Sequence, residues 1–393
     1  LTELSPGNKF PGENALVIVD ALIGSGLNKP LEGDLKVLVE HLNQFNRKVI
    51  AVDVPSGFPS DGPIDPKAVI LKAYLTISFQ RPKINFFLPE SANATERFKV
   101  VGIGLDEGFI QSQPGPWKLI EEADIHGIIK ARKAFSHKGS YGHALIIAGN
   151  TETMGAALLC ADACLHSGAG LTTASVPEEG LTALNSYAPE VMFIPRTGLR
   201  SDDSLSKYSS IAIGPGLGTG HDSEELLKLV LKSRETPMVL DADALNILAA
   251  NPDLLHTLPE QCIICPHKKE FDRLFGKSGS WWDRLTTAVK KAKEFKIIIL
   301  LKNQYTFIIL PEGDILINPT GNPAMAVGGM GDVLTGMIAA FLAQAYTPQE
   351  AAVLAAFIHG KAGDELKGMN SIPPRYLTRL IPGNIKGYTY PSE

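Results

Sequence analysis

The chain has 393 residues, of which 44% are hydrophobic and 20% are charged, and its formal net charge is −5. This is the composition of a globular protein, and the length predicts two or three domains. The near-neutral charge offers no basic surface for nucleic acid, and no apolar run reaches the ~18 residues that a membrane span needs. We therefore expect neither nucleic acid nor a membrane as a partner. No charged and then apolar leader follows Leu1, so we also expect no secretory signal.

The first predicted unit, residues 1–112, alternates β-type runs with a helix-type segment. The runs ALVIVDAL, KVIAVDVPSG and AYLTISF predict strands, and DLKVLVEHLNQF predicts a helix between the first two strands. Continuous Val/Ile/Leu strands that alternate with helices indicate a parallel sheet covered on both faces. We therefore expect a short α/β unit.

A stretch rich in Pro, Gly and Gln, QSQPGPW, has no periodicity and predicts a linker. We place the linker at residues 113–124 and a second unit at residues 125–393. This unit is also predicted to be α/β, because the same alternation continues, and its binding residues are expected at the carboxyl ends of its strands. Its predicted strands are HALIIAG, LTTASV, SIAIGPG, PMVLDADAL, CIICPH, IIILLKN, TFIILPEG and DILIN, with helices at 154–168 and from 332 onward.

Four cysteines, Cys160, Cys164, Cys262 and Cys265, superficially suggest a metal site by their spacing. The first pair lies in an alanine-rich, helix-like run, and the second pair flanks two isoleucines. Cysteine in such surroundings is commonly a small buried hydrophobe, and we weigh this interpretation above a zinc site. We expect buried thiols, no zinc and a reducing, cytoplasmic location.

A glycine-rich stretch, GNPAMAVGGMGDVLTG at residues 321–336, runs into an apolar, helix-type segment. Glycines let the backbone approach a phosphate closely, and the N-terminus of a helix binds anions through its amides and its dipole. Asp332 falls in the predicted first turn, where a carboxylate near a transferred phosphoryl group can act as a base. The structural alternative is an Asp that only caps a helix.

Other polar residues follow predicted strands and are expected to meet in the same crevice, namely Asp241, Asp243, His267 and Lys302. Glu270 is expected to be an acid in the first turn of a helix, and His359 is expected to pack near the crevice rather than to bind metal. The run GPGLGTG at residues 214–220 does not fit the dinucleotide-binding fingerprint, and no P-loop motif is present.

Taken together, a series of blocks resembles the ADP- or ATP-dependent NAD(P)H-hydrate dehydratases of the ribokinase-like superfamily, over roughly residues 125–390. The resemblance implies a lyase that dehydrates the S epimer of hydrated NADH or NADPH. It implies phosphorylation of the unwanted ring hydroxyl by a nucleotide with Mg²⁺, followed by elimination of phosphate. The blocks are HKGSYGHALIIAGN, GAALLCADACLHSGAGLTT, APEVM, IGPGLGTG, VLDADALNIL, CPHKKEFDRL, LLKNQYTFI, GNPAMAVGGMGDVLTGMIAAFLAQ and AFIHGKAGD.

The resemblance also implies roles for individual residues. Asp332 is the implied base, and the amides of residues 328–331 are implied to stabilise the transferring phosphoryl group. The implied nucleotide contacts are Lys302, Asn303, Gln304, Tyr305, Thr306, Asn322, Pro323, Ala324, Met325, Ala326, Val327, Gly328, Gly329, Met330 and Gly331. The implied contacts to the hydrate are Ala156, Gly218, His267 and Asp332.

In the first unit, VIVDALIGSGLNKPLEG and VIAVDVPSG resemble the C-terminal half of the NAD(P)H-hydrate epimerase domain. That Rossmann-like isomerase interconverts the R and S hydrates and is often fused ahead of the dehydratase. The resemblance implies Asp20 and Ser56 as potassium ligands and Asp53 as the epimerisation acid/base. It places the substrate phosphates on Gly24, Ser25, Gly26, Leu27, Asn28, Lys29 and Pro30.

The first unit departs from the epimerase pattern at its start. The family's Asn/Gly-rich segment, with a further potassium ligand, precedes the matched block, and residues 1–14 contain no such run. We therefore expect a partial Rossmann-like unit without epimerase activity and with one exposed sheet edge, ahead of a complete ribokinase-like dehydratase.

Three questions stay open at the level of sequence. A small-molecule kinase of the same fold, such as a hydroxyethylthiazole kinase, would use the same glycines and acid, although HKGSYGH and PHKKEF favour the dehydratase. The first unit could serve only for binding or assembly. The preferences for ADP or ATP and for NADH or NADPH hydrate are not readable, and the resemblance implies a homo-oligomer, a tetramer or larger.

Overall fold

The computed structural model describes residues 15–199, 204–233 and 235–389. The expectation drawn from residues 1–14 therefore lies outside the described residues. The chain divides into two compact units: residues up to Gly115 together with Ser278–Thr286 form the first, and Pro116–Lys277 together with the chain from Thr287 onward form the second. No helix in the described ranges is long and apolar enough to cross a membrane.

The first unit is built on a four-stranded parallel sheet with the order β1-β2-β3-β4. Side chains of β2 alternate between buried and more exposed positions, and its Val49 packs with Val39 of α1 in a small apolar core. In the described part of the chain, β1 pairs with β2 alone and exposes Val17 and Val19. The elements are β1 (Val17–Asp20), α1 (Gly33–Leu42), β2 (Lys48–Val52), β3 (Leu75–Phe79), β4 (Phe98–Val101) and α2 (Glu107–Ser112).

The second unit is built on a ten-stranded sheet with the order β5-β14-β13-β12-β11-β10-β9-β6-β7-β8. Its strands are β5 (Trp117–Leu119), β6 (His143–Ile147), β7 (Leu171–Val176), β8 (Met192–Pro195), β9 (Ser210–Ile213), β10 (Met238–Leu240), β11 (Ile263–Ile264), β12 (Ile298–Leu301), β13 (Thr306–Ile309) and β14 (Ile315–Asn318). Its helices are α3 (Glu122–Ile128), α4 (Met154–His166), α5 (Leu181–Tyr187), α6 (His221–Lys232), α7 (Asp243–Ala250), α8 (Lys268–Phe275), α10 (Met330–Ala343), α11 (Pro348–Glu365) and α12 (Pro374–Thr389). Helix α9 (Trp281–Phe295) contains residues of both units: those up to Thr286 are assigned to the first unit and those from Thr287 onward to the second.

Small side chains let the central helices of the second unit pack closely. Nearly every residue of α10 is buried, and a Cβ added at Gly336 would lie 2.0 Å from the carbonyl oxygen of Cys160 in α4. The absence of a side chain at Gly336 therefore allows α10 to approach the backbone of α4 closely. All four cysteines are buried, free thiols, which confirms that part of the expectation.

The α/β expectation is confirmed, and the parallel sheet has one exception. Strand β13 runs antiparallel to both of its neighbours, β12 and β14, and the turn at Gly313 (φ 105°) reverses the chain between β13 and β14. The strands β4, β5 and β8 were not predicted. Strand β5 lies inside the segment expected to be a linker, residues 113–124, and pairs with β14, so that segment is partly built into the sheet.

Candidate active site

A cavity of about 580 Å³ lies in the second unit where several strands end and α10 begins. Asp241 follows β10, His267 follows β11 and Lys302 follows β12, and all three line the cavity together with Asp332 of α10. The carboxyl ends of parallel strands meet at one edge of the sheet, which is why residues far apart in sequence converge here. The predicted crevice is therefore present.

Asp241 holds several elements around the cavity together through its hydrogen bonds. Its Oδ1 accepts hydrogen bonds from Lys302 Nζ at 2.7 Å and from the Ala242 N–H at 2.8 Å. Its Oδ2 accepts a 2.8 Å hydrogen bond from the hydroxyl of Thr335, which is buried on α10. One buried carboxylate thus connects β10, β12 and α10.

The glycine-rich loop leads directly into the N-terminus of α10. Gly329 occupies the cap position with φ 95°, in the left-handed region, and a Cβ there would come 2.6 Å from Leu159 Cδ1. Gly328 differs, because a Cβ there would meet nothing within 4 Å. Gly328, Met330 and Gly331 line the cavity, so the first amides of a buried helix adjoin its open space. That arrangement suits an anion.

Asp332 lies in the first turn of α10 and lines the cavity. Burial raises its pKa to about 7, and the negative charges of Asp241 and, less strongly, Asp243 act in the same direction, while Lys302 opposes them. A carboxyl group with a pKa near neutrality exchanges a proton readily at physiological pH. Asp332 is therefore suited to act as a base in addition to being part of a helix N-terminus.

His267 and Glu270 form a reciprocal cap at the start of α8. The His267 N–H donates to Glu270 Oε2 at 2.8 Å, and His267 Nδ1 accepts from the N–H groups of Lys269 and Glu270. The proton of the neutral ring is therefore on Nε2. Burial, and then the positive charge of Lys302, lower the pKa of His267. Glu270 confirms the expectation of a first-turn acid and also lines the cavity.

Most of the expected nucleotide contacts line this one cavity. Tyr305, Ala324 and Gly329 are the exceptions. Those that line it are Lys302, Asn303, Gln304, Thr306, Asn322, Pro323, Met325, Ala326, Val327, Gly328, Met330 and Gly331.

Two of the expected hydrate contacts, Ala156 and Gly218, lie outside the lining of the cavity. The Gly218 N–H donates to Asp243 Oδ2 at 2.8 Å, and Asp243 contributes to the raised pKa of Asp332. Ala156 packs against the same loop, because a Cβ added at Gly216 would lie 2.9 Å from its Cβ. This loop is thus linked to Asp332 electrostatically, through Asp243.

Sequence reasoning left out several residues that line the cavity. Asn318 ends β14 and donates to the Ala356 carbonyl at 3.1 Å, and the Thr320 hydroxyl donates to the Phe357 carbonyl at 3.0 Å. Both bonds fasten α11 beside the cavity. Asn318 stands at a strand end, a position at which binding residues are expected. His359, which was expected to pack near the crevice, does line the cavity.

In the first unit, Asp20 and Ser56 are buried and bonded to each other. The Ser56 N–H donates to Asp20 Oδ2 at 2.7 Å and its hydroxyl donates to Asp20 Oδ1 at 2.6 Å. The two expected potassium ligands are therefore adjacent, and their oxygens are of the hard type that suits such a cation. No cluster of three or more His, Cys, Asp or Glu that could hold a metal occurs in the described ranges.

Asp53 follows β2 in a left-handed backbone conformation, with φ 65°. Such a conformation is uncommon for a residue other than glycine and often marks a functional site. Its Oδ1 accepts the N–H of Phe79 at 3.1 Å and lies 2.8 Å from Lys83 Nζ. Burial acts to raise the pKa of Asp53, but the hydrogen bonds from Lys83 and Phe79 outweigh it, so the pKa is lowered.

The exposed loop Gly24–Pro30 passes next to Asp53. A Cβ added at Gly24 would lie 3.8 Å from Asp53 Oδ2, and a hydrogen bond from the Ser25 side chain contributes to the lowered pKa of Asp53. The structure thus brings together the expected phosphate loop and the expected acid/base. Lys83, which sequence reasoning did not select, is the residue that completes this group.

Two known families match parts of the chain. The family described as NAD(P)H-hydrate dehydratase matches residues 144–383, which include every residue that lines the cavity. The family described as YjeF-related protein N-terminus matches residues 2–85, which include Asp20, Asp53 and Lys83.

Comparisons with individual proteins agree with these family matches. The chain is 36% identical over 367 residues to the bifunctional NAD(P)H-hydrate repair enzyme of Moorella thermoacetica, a match that covers 89% of this chain and 68% of that protein. A ribokinase-like superfamily protein from Enterococcus faecalis is 29% identical with a TM-score of 0.66, covering 71% of this chain and 99% of that one. The ADP/ATP-dependent NAD(P)H-hydrate dehydratase from Bacillus subtilis, co-crystallised with ATP and Mg²⁺, is 30% identical with a TM-score of 0.62, covering 69% and 98%.

Proposed function

The chain belongs to the NAD(P)H-hydrate dehydratase family, and we propose that its second unit repairs hydrated nicotinamide cofactors at the cavity described above. It is a lyase that converts the S hydrate of NADH or NADPH to the normal cofactor at the expense of ADP or ATP. The observation that carries the assignment of this site is Asp332, whose pKa is raised to about 7 at the N-terminus of α10.

The proposed chemistry begins with a proton transfer. Asp332 takes the proton of the unwanted ring hydroxyl, and the hydroxyl oxygen forms a bond to the terminal phosphorus of the nucleotide as the bond to the leaving phosphate oxygen breaks. The amides of residues 328–331 and the ammonium of Lys302 stabilise the charge on the phosphoryl oxygens. The bond between the ring carbon and the phosphorylated oxygen then breaks, and phosphate leaves with the electron pair. A proton of the neighbouring ring carbon passes to water, which restores the double bond.

Magnesium fits this site as a companion of the nucleotide. The carboxylates of Asp332 and Glu270 line the cavity, and Mg²⁺ usually binds one or two carboxylates together with substrate phosphates and water. When bound, the ion neutralises phosphate charge. Asp241, in contrast, already accepts hydrogen bonds from Lys302, Ala242 and Thr335.

For the first unit we propose an epimerase-like site at Asp53, the phosphate loop Gly24–Pro30 and a potassium ion on Asp20 and Ser56, which is active only together with the Asn/Gly-rich segment of that family. The adjacency of the two buried oxygen-bearing side chains supports the ion, and the strained backbone of Asp53 supports the acid/base. The proposed domains are residues 1–112 and 125–393, with the connection at 113–124. Service as a binding or assembly module is the alternative for the first unit.

We also propose a homo-oligomer, a tetramer or larger, which light scattering would test. The four buried free thiols support a reducing, cytoplasmic compartment.

The second candidate, a small-molecule kinase, would use the same loop and the same acid. The site residues do not separate the two chemistries, and the family match decides for the dehydratase. The test is to measure phosphate release from ADP and from ATP with and without the S hydrate of NADH. The dehydratase consumes nucleotide only when the hydrate is present and returns NADH. Phosphorylation of a thiazole alcohol without regeneration of NADH would identify the kinase instead.

A further inference from the structure

His359 of α11 has an unused polar atom inside the cavity. The side chain is 9% exposed and lines the cavity, and no described residue gives Nε2 a hydrogen-bond partner. A buried polar nitrogen without a partner is costly, so native structures rarely retain one unless a ligand or water completes it. His359 therefore differs from a histidine that is only packed in a core.

The chemical form of Nε2 follows from the other ring nitrogen. The ring makes a hydrogen bond to the backbone of Met330 that raises its pKa, as donation to a carbonyl does. Since Nε2 has no partner, this bond uses Nδ1. Burial outweighs it and lowers the pKa of His359 to about 4, with Lys302 acting in the same direction as burial. The ring is then neutral, the proton is on Nδ1, and Nε2 presents a lone pair to the cavity.

The position of the ring is fixed by its helix. Thr320 and Asn318 donate to carbonyls of α11, and a Cβ added at Gly360 would lie 2.1 Å from Thr320 Oγ1. This close contact leaves α11 little freedom to shift. The lone pair of Nε2 is therefore a preorganised feature of the site.

His359 lies near residues that are expected to contact the nucleotide: its ring bonds to the backbone of Met330, and the neighbouring Gly360 lies against Gly321, with its Cα 3.7 Å from a Cβ added there. Gly321, Asn322 and Met325 line the cavity with it, and the last two are among the expected nucleotide contacts. Of the expected hydrate contacts, Ala156 and Gly218 do not line the cavity, whereas His267 and Asp332 do. A lone pair repels phosphate oxygens, and the phosphates have their own donors in the amides of 328–331 and in Lys302. The lone pair selects a hydrogen-bond donor instead.

We propose that His359 Nε2 accepts a hydrogen bond from a neutral donor on the nucleoside part of the bound nucleotide, either a ribose hydroxyl or the exocyclic amino group of the base. This inference rests on the proposed nucleotide-dependent dehydration. It adds a binding residue that selects among nucleotides by their donors.

The test compares the binding of ATP, 2′-deoxy-ATP, 3′-deoxy-ATP and purine riboside triphosphate, which lacks the amino group, to the full chain by calorimetry with Mg²⁺. We expect the wild type to bind one of the three analogues about tenfold more weakly than ATP, since a buried acceptor is left unpaired. The analogue affected identifies the donor.

Two variants test whether the difference in affinity between ATP and the affected analogue depends on the His359 ring. His359→Leu should bind ATP and the affected analogue equally, and His359→Gln, which keeps an acceptor, should retain part of the difference. Equal affinity of the wild type for all four nucleotides would overturn the proposal without any variant, as would undiminished discrimination in His359→Leu. A uniform loss for all four with a changed Mg²⁺ requirement would assign Nε2 to a metal-bound water and also overturn it.

Failure of the proposed function has a separate signature. A chain that binds ATP but never regenerates NADH from the hydrate refutes the dehydratase and leaves the binding comparison valid. A chain that regenerates NADH but treats the four nucleotides alike refutes only the role of His359.

Discussion

Lys302 Nζ lies 2.7 Å from Asp241 Oδ1, and this ion pair joins the end of β12 to the end of β10. Asp241 is 2% exposed in its side chain and Lys302 is 20% exposed, so water screens the pair weakly. Burial works against the charge of Lys302, but Asp241 and Glu270 outweigh it and the pKa of Lys302 is raised. The pair holds a cation beside the N-terminus of α10.

The first prediction is that Lys302→Met destabilises the protein strongly. It leaves Asp241 buried without its counter-charge, and we expect the free energy of unfolding to fall by about 3 kcal/mol. Urea unfolding measures the change. The double variant Asp241→Asn/Lys302→Met should recover part of the loss.

The matched control is Lys296→Met. Lys296 pairs with Glu260 at 2.6 Å, but these side chains are 65% and 71% exposed. A change of less than about 1 kcal/mol is expected there. Equal losses for Lys302→Met and Lys296→Met would contradict the structural role of the buried pair.

The second prediction separates two neighbouring glycines. Gly328→Ala should leave the unfolding temperature unchanged, because the new methyl group meets no atom within 4 Å, and should weaken nucleotide binding because the methyl group projects where the phosphate is expected. Gly329→Ala should lower the unfolding temperature, because Gly329 has φ 95° and a Cβ there lies 2.6 Å from Leu159 Cδ1. Thermal melts and calorimetry with ATP distinguish the two. Unchanged ATP binding in Gly328→Ala would argue against a phosphate at this loop.

The third prediction concerns pH. Asp332 has a pKa raised to about 7, and a base must be deprotonated to act. The value of kcat/KM for the dehydratase should therefore rise with pH up to about 7 and level off above it. Asp243→Asn removes a negative charge that raises this pKa, so its profile should be displaced to lower pH.

Asp222→Asn, in the exposed first turn of α6, is the control for that displacement. It should leave the profile in place. A wild-type profile that is flat between about pH 6 and 8 would argue against Asp332 as the base.

The fourth prediction concerns the first unit. Lys83→Met removes the ammonium that lies 2.8 Å from Asp53 Oδ1. Burial then dominates, and the pKa of Asp53 should rise. A carbon-13 NMR titration of the Asp53 carboxyl group measures it. Lys36→Met, whose exposed side chain lies 4.0 Å from Glu40, should leave the titration of Asp53 unaltered; a rise of the same size in both variants would refute the specific pairing.

Much of the crevice could be predicted from the sequence, because polar residues that follow apolar strand runs have only one edge of a parallel sheet to occupy. Asp241, His267 and Lys302 were found in this way. Thr335 was not assigned a role, because it lies in a helix that is apolar on nearly all sides, where periodicity does not reveal which residue faces the cavity. His359 was expected near the crevice, but without a role in binding. Lys83 was missed for a related reason, since its partner is set by tertiary packing.

The strands also divide into those that the sequence predicts and those that it does not. Long Val/Ile/Leu runs predicted most strands, whereas β5 was missed because Trp117–Leu119 is short and follows a proline-rich stretch. Its pairing with β14 is a long-range contact that local sequence does not encode. The antiparallel β13–β14 hairpin was not foreseen, although the turn residues around Gly313 offered a signal.

The most direct test of the account measures regeneration of NADH, by its near-ultraviolet absorbance, from S-enriched hydrate with Mg²⁺ and either ADP or ATP. Wild-type chain should restore the absorbance, and Asp332→Asn should lower the rate by about 10² to 10⁴-fold while it still binds nucleotide and keeps its unfolding temperature. Regeneration by Asp332→Asn at the wild-type rate would contradict the assignment of Asp332 as the base. Absence of regeneration by the wild type with both nucleotides would contradict the dehydratase itself.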